Sequence, residues 1–523
     1  MNKKRKYKIL TCSIAVCLVL IVSIGADNLS PAPQDCTAID KYPSIKPDYT
    51  DITIPPNIAP MNFTILHQAD KYYVKIYSDN ASAITLTSKS PDVIIPLKSW
   101  HKLLDANKAK KLYIDVYTQA ENKTWQKFKT ITNTIAPELI DPYLVYRNIP
   151  PAHGQWCNMS VNQRNLTNFK TSLVLNNDYF ERGCLNCHTF CSNNPDKMTL
   201  AIRSDKYKSS TILVEDDVVK KIGAKFTYST WHPTGKIIVF SYNKIRQFFN
   251  TAEDEVRNVI DLDSMLAYYD LDKKVIKTNP AFTGKDILET YPAFSHDGKY
   301  LYYCAAKKLW ADDDEKFPPD NYSKVRYDLV RLSYDVEKDI WGLPETIVSS
   351  EKTQKTSLEP RISPDGRWLV FCMCDYGCFP VYRPDSDLYL IDLENAQKTG
   401  DFSPRKLSAN SDQSESWHSF SSNSKWLAFS SKALRPRLTV TQFSYIDQQG
   451  NSTKPFIMPQ KDPSFYDSFA MTFSVPEFVT GPVKKTHEQL ARVIRGSGTI
   501  AVDMPITMAT PEKDAGSAWQ ERE

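Results

Sequence analysis

Short runs of aromatic and β-branched residues alternate with polar turns along most of the chain. Residues 72–77 and 112–117 are two such runs, in which apolar and polar positions partly alternate. Helical periodicity is scarce, and the turns are rich in Pro, Asp, Asn and Ser. This pattern predicts an all-β protein. At 523 residues the chain exceeds the size of one hydrophobic core, so we expect two or three domains.

A weak repeat with a period near 60 residues runs through the second half of the chain. Each copy has a tight polar turn with a Lys or Arg, followed by a short apolar strand, as in residues 363–371. The turn residues of the four copies are Gly235, Gly298, Gly366 and Ser424. Such a repeat is typical of a β-propeller, in which each copy is one blade. With the flanking strands, five or six blades are expected.

The N-terminus carries a basic segment followed by an apolar run at residues 9–24. The run is short for a membrane-spanning helix, which needs about 20 apolar residues, and it is typical of a signal peptide. Cleavage is expected after Gly25 or Ala26, with an uncleaved membrane anchor as the alternative. The sequence therefore predicts a periplasmic or otherwise exported protein.

A Cys-x-x-Cys-His motif is formed by Cys184, Cys187 and His188. This is the attachment signature of c-type haem. Two thiols one helical turn apart can each bond a haem vinyl group, and the adjacent imidazole then ligates the iron. A zinc site needs a second ligand pair, and a redox pair needs a βαβ context; neither is evident. The motif predicts one covalent haem c with His188 as an axial iron ligand.

The second axial position has several candidates. Met198 lies ten residues beyond His188, behind turn-forming residues that can fold the chain back over the haem. The competing ligands are His153, His232 and His418. His232 and His418 each follow a Trp where an innermost strand is expected to meet its turn, close to the central channel. An iron site with no second protein ligand is the remaining alternative.

Composition and charge limit the class of partner that we expect and the role of the cysteines at 372–378. The net charge is +4 and the basic residues are scattered beyond the N-terminus, so no nucleic-acid partner is expected. Cys372, Cys374 and Cys378 are interpreted as small buried apolar groups, with or without one disulfide. A metal site there is the alternative, but the cluster has no nearby His in sequence.

The predicted organisation has six segments. They are a signal peptide or anchor at 1–26, a linker at 27–46, an immunoglobulin- or fibronectin-like β-sandwich at 47–134, an irregular haem-bearing segment at 135–205, a propeller at 206–483 and a disordered tail at 484–523.

The blade unit at residues 363–371 resembles those of TolB-type propellers. With residues 54–63, the Asp141-Pro142-Tyr143 run, the haem motif and Trp417-His418, the chain is similar to exported TolB-like proteins that carry one c-type haem motif, some labelled cytochrome c biosynthesis proteins. A more distant similarity is to the α subunit of hydrazine synthase, which joins a β-domain, a propeller and c-type haem. The resemblance implies this architecture; a single motif does not imply a multihaem active site.

Three classes of function are consistent with these features. The first is an exported monohaem cytochrome that transfers electrons in the periplasm, with the propeller as a docking platform for a redox or envelope protein partner. The second is a haem enzyme with an open iron site at the propeller mouth. The third is a TolB-like protein-interaction module in which the haem is structural or absent. Membrane contact is expected only through an uncleaved N-terminal anchor.

Overall fold

A computed structural model describes residues 32–120, 123–150, 158–249, 257–284, 286–311 and 316–502. Within these ranges the chain is almost entirely β, which confirms the all-β prediction. The segment predicted as a signal peptide or anchor, and His153, lie outside the described residues. Among the helices that the structure describes, none is long and apolar enough to cross a membrane.

The N-terminal domain consists of two sheets and one helix. Its elements are β1 (Cys36–Ala38), β2 (Ile45–Lys46), β3 (Thr53–Ile54), β4 (Phe63–Ile65), β5 (Lys71–Tyr77), β6 (Ile84–Ser88), β7 (Asp92–Val93), α1 (Leu97–Asp105), β8 (Lys111–Gln119), β9 (Trp125–Lys127) and β10 (Ile131–Ile135). The larger sheet has seven strands with β8 paired to β5, β9 and β10, and the smaller sheet joins β2, β4 and β7. Strands β1 and β2 belong to this domain, although residues 27–46 were predicted to be a linker.

The described residues after β10 form six further sheets. Their strands are β11 (Tyr143–Ile149), β12 (Ser160–Asn165), β13 (Thr171–Asn176), β14 (Cys184–Cys191), β15 (Asn194–Arg203), β16 (Ser210–Glu215), β17 (Val218–Ile222), β18 (Thr227–Trp231), β19 (Ile237–Phe249), β20 (Arg257–Asp270), β21 (Val275–Lys277), β22 (Ile287–Phe294), β23 (Tyr300–Lys307), β24 (Asp328–Asp335), β25 (Ile340–Trp341), β26 (Glu345–Val348), β27 (Thr356–Ile362), β28 (Trp368–Cys374), β29 (Asp387–Asp392), β30 (Arg405–Lys406), β31 (Glu415–Phe420), β32 (Trp426–Ser431), β33 (Val440–Tyr445), β34 (Phe456–Ile457), β35 (Thr472–Val479) and β36 (Thr499–Ile500). The helices are α2 (Ser350–Thr353), α3 (Leu393–Thr399), α4 (Phe465–Ser468) and α5 (His487–Arg495).

The six sheets are arranged in a closed ring. Strand β35 pairs with β11 and so becomes the innermost strand of the sheet that β11–β13 begin. The innermost strands β35, β14, β18, β22, β27 and β31 contact one another in that order, and β31 contacts β35 again. This is the propeller architecture that the 60-residue repeat predicted.

The segment at residues 135–205 differs from its prediction, because it is regular. It supplies β11 to β15, which belong to the first two sheets of the ring. Its apolar residues, among them Val145, Val161 and Val174, are buried in a core that these two sheets share with α5. Burial of alternate apolar side chains stabilises strands here, although short polar turns obscure the pattern in the sequence.

The tail predicted as disordered from residue 484 also differs. Helix α5 packs Leu490, Ala491 and Ile494 into the same core, and β36 pairs in parallel with β17. The helix begins with a capping box, in which the Thr486 hydroxyl and the Gln489 side chain each bind the other residue's backbone N–H. Residues from 503 onward lie outside the described part of the chain.

Candidate functional site in the central channel

The innermost strands all carry the same β-bulge, in which two residues lie opposite a single residue of the partner strand. The paired bulge residues are Asn186-Cys187, Tyr228-Ser229, Tyr291-Pro292, Glu359-Pro360, Trp417-His418 and Val475-Pro476. The first residue has a positive φ in five of them, from 41° at Tyr228 to 55° at Glu359. Non-glycine residues rarely adopt this conformation, and bulges re-aim side chains.

The six bulges surround one cavity on the ring axis. Every lining residue belongs to an innermost strand of the ring. The cavity leaves only about 30 Å³ for the centres of water molecules. The aromatic rings of Tyr228, Tyr291 and Trp417 close part of it: the ring centroids of Tyr228 lie 4.4 Å from Tyr291 and 5.9 Å from Trp417. The channel is therefore narrow, and its walls combine apolar rings with a few polar groups.

Three potential metal ligands from different strands meet beside this cavity: Glu359 and His418 line it, and Cys372 contacts both from the next strand. Glu359 is on β27, Cys372 on β28 and His418 on β31, and all three side chains are buried. The Cys372 Sγ atom lies 3.6 Å from Glu359 Oε2 and 3.9 Å from His418 Nδ1. All three potential ligand atoms lie within 4.8 Å of one another. One cation could therefore contact a thiolate, an imidazole and a carboxylate at this point.

Hydrogen bonds orient two of these side chains. The Nε2 atom of His418 lies 2.9 Å from the carbonyl oxygen of Val370, which can only accept, so Nε2 carries the proton. The lone pair of Nδ1 is then directed towards Cys372. The Glu359 Oε2 atom accepts the backbone N–H of Trp417 at 2.6 Å. The other oxygen of Glu359, Oε1, is buried and has no partner among the described residues.

Burial sets the protonation of this cluster. It raises the pKa of Glu359 to about 8, although the backbone N–H of Trp417 and the Cys372 thiol partly oppose the change. Burial lowers the pKa of His418 to about 3 and raises that of the Cys372 thiol well above its usual value. Without a cation, therefore, all three groups are neutral at pH 7. The unpartnered oxygen of Glu359 is costly to bury, and a bound cation would compensate that cost.

The haem motif lies on strand β14 and not on a helix. Cys184 packs in the apolar core of the first two sheets, where burial raises the pKa of its thiol to about 11. Cys187 and His188 line the channel cavity. The imidazole of His188 is buried, and neither of its ring nitrogens makes a hydrogen bond in the described part of the chain. The backbone of Val145 and Val475 lies nearby without meeting the geometry of a hydrogen bond.

These residues do not fit a covalent haem in the arrangement described. One thiol lies in a packed core while the other lines the cavity, whereas thioether attachment needs both thiols at the edge of one porphyrin. The cavity has room for a few water molecules, and a porphyrin is many times larger. Attachment of haem would therefore require a rearrangement of β14. Covalent haem remains a prediction that chemical analysis can test.

The other two candidate ligands lie away from the cavity. Met198 is buried on β15, where it pairs with Phe190 and packs in the core of the first two sheets. The chain between His188 and Met198 is a β-hairpin, and Met198 is not among the residues that line the cavity. His232 lies in the turn after β18, with its Nδ1 at 2.7 Å from the Thr234 hydroxyl and its Nε2 at 3.3 Å from the Gly298 carbonyl. It contacts the turn of the neighbouring sheet, outside the cavity lining.

Sequence reasoning named His418 as a candidate iron ligand near the channel and Cys372 as a buried apolar group, with a metal site as the alternative. It did not single out Glu359, or Arg361, which also lines the cavity. The three thiols of residues 372–378 are buried, as expected, and none forms a disulfide in the described structure. Cys372 lacked a neighbouring His in the sequence because its partner comes from the next sheet, 46 residues later. A signal did exist: Glu359-Pro360 and Trp417-His418 occupy the same place relative to the turns of successive repeats.

Comparisons with known proteins give only a distant structural likeness. No protein-family profile matches the chain, and no curated protein matches it in sequence. Similar solved structures include Kuenenia stuttgartiensis hydrazine synthase, with 15% identity over 51% of this chain and 64% of that chain at a TM-score of 0.29. An oligogalacturonate lyase in complex with manganese has 12% identity over 60% of this chain and 73% of that one, at a TM-score of 0.33. A Synechocystis apocarotenoid oxygenase mutant has 10% identity over 83% of this chain and 96% of that one, at a TM-score of 0.37.

Proposed function

We propose that the protein is a metal-dependent enzyme whose central channel holds one transition-metal ion, zinc in the first instance. The ligands are Glu359, Cys372 and His418. The observation that carries the proposal is the convergence of a buried thiol, an imidazole nitrogen and a carboxylate oxygen within 4.8 Å. The second oxygen of that carboxyl group, Glu359 Oε1, has no partner among the described residues. Sulfur and nitrogen donors favour zinc and related transition metals over magnesium or calcium.

Three protein ligands support a catalytic role in preference to a structural one. Structural zinc sites are closed by four protein ligands, whereas catalytic sites keep one position open. Bound here, the ion would supply Lewis-acid chemistry to a small molecule in the cavity. The rings of Tyr228, Tyr291 and Trp417 exclude bulk water from the same space. The narrow cavity limits the substrate to a molecule of a few atoms.

Metal binding to this cluster must displace protons. The carboxyl group of Glu359 and the thiol of Cys372 both bind as anions, and burial favours their neutral forms. Metal affinity should therefore rise with pH, more steeply below about pH 8, where both groups must lose a proton, than above it, where only the Cys372 thiol must. The measurement is competition of the protein with a chelator for zinc at a series of pH values.

Metal analysis of matched variants tests the proposal. We expect wild-type protein to retain one zinc per chain, and cobalt-loaded protein to show the near-ultraviolet charge-transfer band of a cobalt–thiolate bond. Cys372→Ser should abolish that band and release the metal, and His418→Gln should release it too. Cys374→Ser is the control, because its thiol is equally buried on β28 but lies near the Tyr376 carbonyl, outside the cluster.

Two results would contradict the metal centre. One is wild-type protein that takes up less than about a tenth of an equivalent of zinc or cobalt from excess metal. The other is an equal loss of metal in the Cys374→Ser and Cys372→Ser variants, because only the second residue belongs to the cluster.

A periplasmic monohaem cytochrome that passes electrons to a redox or envelope protein partner is the second candidate. The Cys-x-x-Cys-His motif favours it, together with the unpartnered imidazole of His188 in the channel. Protein from a host that matures c-type cytochromes should then keep its haem on a denaturing gel and gain the mass of one haem. The Cys184→Ala, Cys187→Ala double variant should lose both signals. Haem-free wild-type protein from such a host would eliminate this candidate.

A further inference from the structure

A second polar cluster, of hydrogen-bond donors, faces the same cavity. His188 lies on β14, and Arg361 on β27 lines the cavity too. Both ring nitrogens of the buried imidazole lack a partner in the described residues. Arg361 makes one ion-pair contact, in which its Nη2 lies 3.3 Å from Glu477 Oε1. A neutral imidazole can donate one hydrogen bond, and a guanidinium group has five N–H donors.

A second guanidinium group lies behind His188. Arg147 extends from β11, and its Nη1 donates to the Leu185 carbonyl and to Asn186 Oδ1, each at 3.3 Å. Its Nε is buried without a partner, and the described structure contains no salt bridge from Arg147 to a carboxylate. Both guanidinium groups lower the pKa of His188, so both lie within electrostatic reach of the imidazole.

The balance of charge near the imidazole is therefore positive. Glu477 is the carboxyl group that pairs with Arg361, and burial raises the pKa of that carboxyl to about 7. Near neutral pH it neutralises only part of the charge of two guanidinium groups. Apolar walls strengthen such an unbalanced charge, because the local dielectric constant is low.

We infer that the channel binds one small oxyanion or carboxylate between His188 and Arg361. Buried polar groups without partners are rare, and an anion would accept from both donors at once. A water molecule needs roughly 10–15 Å³ of such space, so the cavity has room for two or three of them. Formate, nitrite, nitrate and bicarbonate, with three or four heavy atoms each, match that space.

This site goes beyond the proposed metal centre and does not depend on it. Its donors are protein groups and need no metal: His188 is on β14, opposite β27 in the ring, and Arg361 is on β27, two residues after Glu359. Metal-free protein is therefore expected to bind the anion. If the metal is also present, the anion lies beside it, which makes a small oxyanion or carboxylate the substrate class of the centre.

Calorimetric titration of chelator-treated protein with sodium nitrite or sodium formate, at constant ionic strength, tests the inference. We expect one binding site in wild-type protein, with affinity at least tenfold weaker in His188→Gln and in Arg361→Gln. Glu477→Gln should bind more tightly, because it removes the carboxylate that competes for Arg361. His232→Gln is the matched control: that imidazole is equally buried but has hydrogen-bond partners for both nitrogens outside the cavity.

The inference is overturned if wild-type protein binds neither anion, or if His188→Gln and His232→Gln bind alike. If Arg361→Gln does not fold, His188→Gln decides, with the rise in melting temperature on adding nitrite as the second measurement. If the protein binds the anion but no metal, the anion site stands and the metal proposal fails. If it binds metal but neither anion, the metal proposal stands and the anion site fails.

Discussion

Several carboxyl groups are buried in the ring. Burial raises the pKa of Glu289 to about 8, of Glu359 to about 8, and of Asp261, Glu415 and Glu477 each to about 7. In the unfolded chain these groups ionise near their ordinary values. At neutral pH the folded chain therefore holds protons that the unfolded chain has released, and raising the pH favours unfolding.

Glu289 offers the clearest test of this effect, because it lies outside the channel lining and its Oε2 atom has no partner among the described residues. Its contribution to stability is complete below its ordinary pKa of 4.5 and is lost as the pH rises towards 8. Denaturant unfolding of wild-type protein should therefore lose about 1.4 kcal/mol per pH unit more than Glu289→Gln between about pH 5.5 and 7.5. If the free energy of unfolding depends on pH in the same way in wild-type protein and Glu289→Gln, the raised pKa of Glu289 is contradicted. Glu351→Gln, at an exposed site, is the control.

The same dipeptide occupies two different places in the repeat. Trp417-His418 is a bulge pair, so His418 lines the channel, whereas Trp231-His232 comes after the bulge of β18 and runs into the turn. Sequence reasoning treated the two as equivalent, because both precede a polar turn. The bulge is the feature that separates them, and it depends on backbone conformation at Tyr228 and Trp417 that the residue types do not favour.

Among the elements, those whose apolar patterns are strong were predicted and those stabilised by distant contacts were not. The strands after each turn glycine are buried runs and were found from the sequence. Helix α5 was missed because five of its nine side chains are polar, and only Leu490, Ala491 and Ile494 are fully buried. Its stability comes from that core and from the Lys221 ammonium group, which donates to the Ile494 carbonyl at 2.8 Å.

The packing and the capping of helix α5 should both contribute measurably to the stability of the protein. Leu490→Ala removes a fully buried side chain from the core of the first two sheets and should cost about 2–5 kcal/mol of unfolding free energy. Thr486→Ala removes the capping hydroxyl and should cost about 1 kcal/mol. Chemical denaturation measures both. Val493→Ala, in the same helix but only half-buried, should cost less than Leu490→Ala. If Leu490→Ala does not lower the free energy of unfolding, helix α5 does not pack on the core of the first two sheets.

For the whole molecule, β35 contributes more to the structure than its short length suggests, because it packs into three hydrophobic cores. Phe473 and Phe478 belong to the core shared by the N-terminal domain and the sixth sheet, Val475 to the core that surrounds the channel, and Val479 to the core of the first two sheets. One strand near the end of the chain thus joins three cores and closes the ring. The sequence predicted a propeller from its repeat, but pairing of β11 with a strand over 320 residues later leaves no local signal.

Ring closure by β35 can be tested by truncation. A chain that stops after residue 470 lacks β35, so β11 has an unpaired edge and three cores are open; we expect no cooperative unfolding transition and strong aggregation. A chain that stops after residue 484 keeps β35 and loses only α5 and the residues after that helix, so it should unfold cooperatively at a lower temperature. Both chains contain Glu359, Cys372 and His418. Loss of zinc from the shorter chain alone would show that the closed ring, and not the ligand set by itself, holds the metal. A shorter chain with native near-ultraviolet circular dichroism would contradict closure by β35.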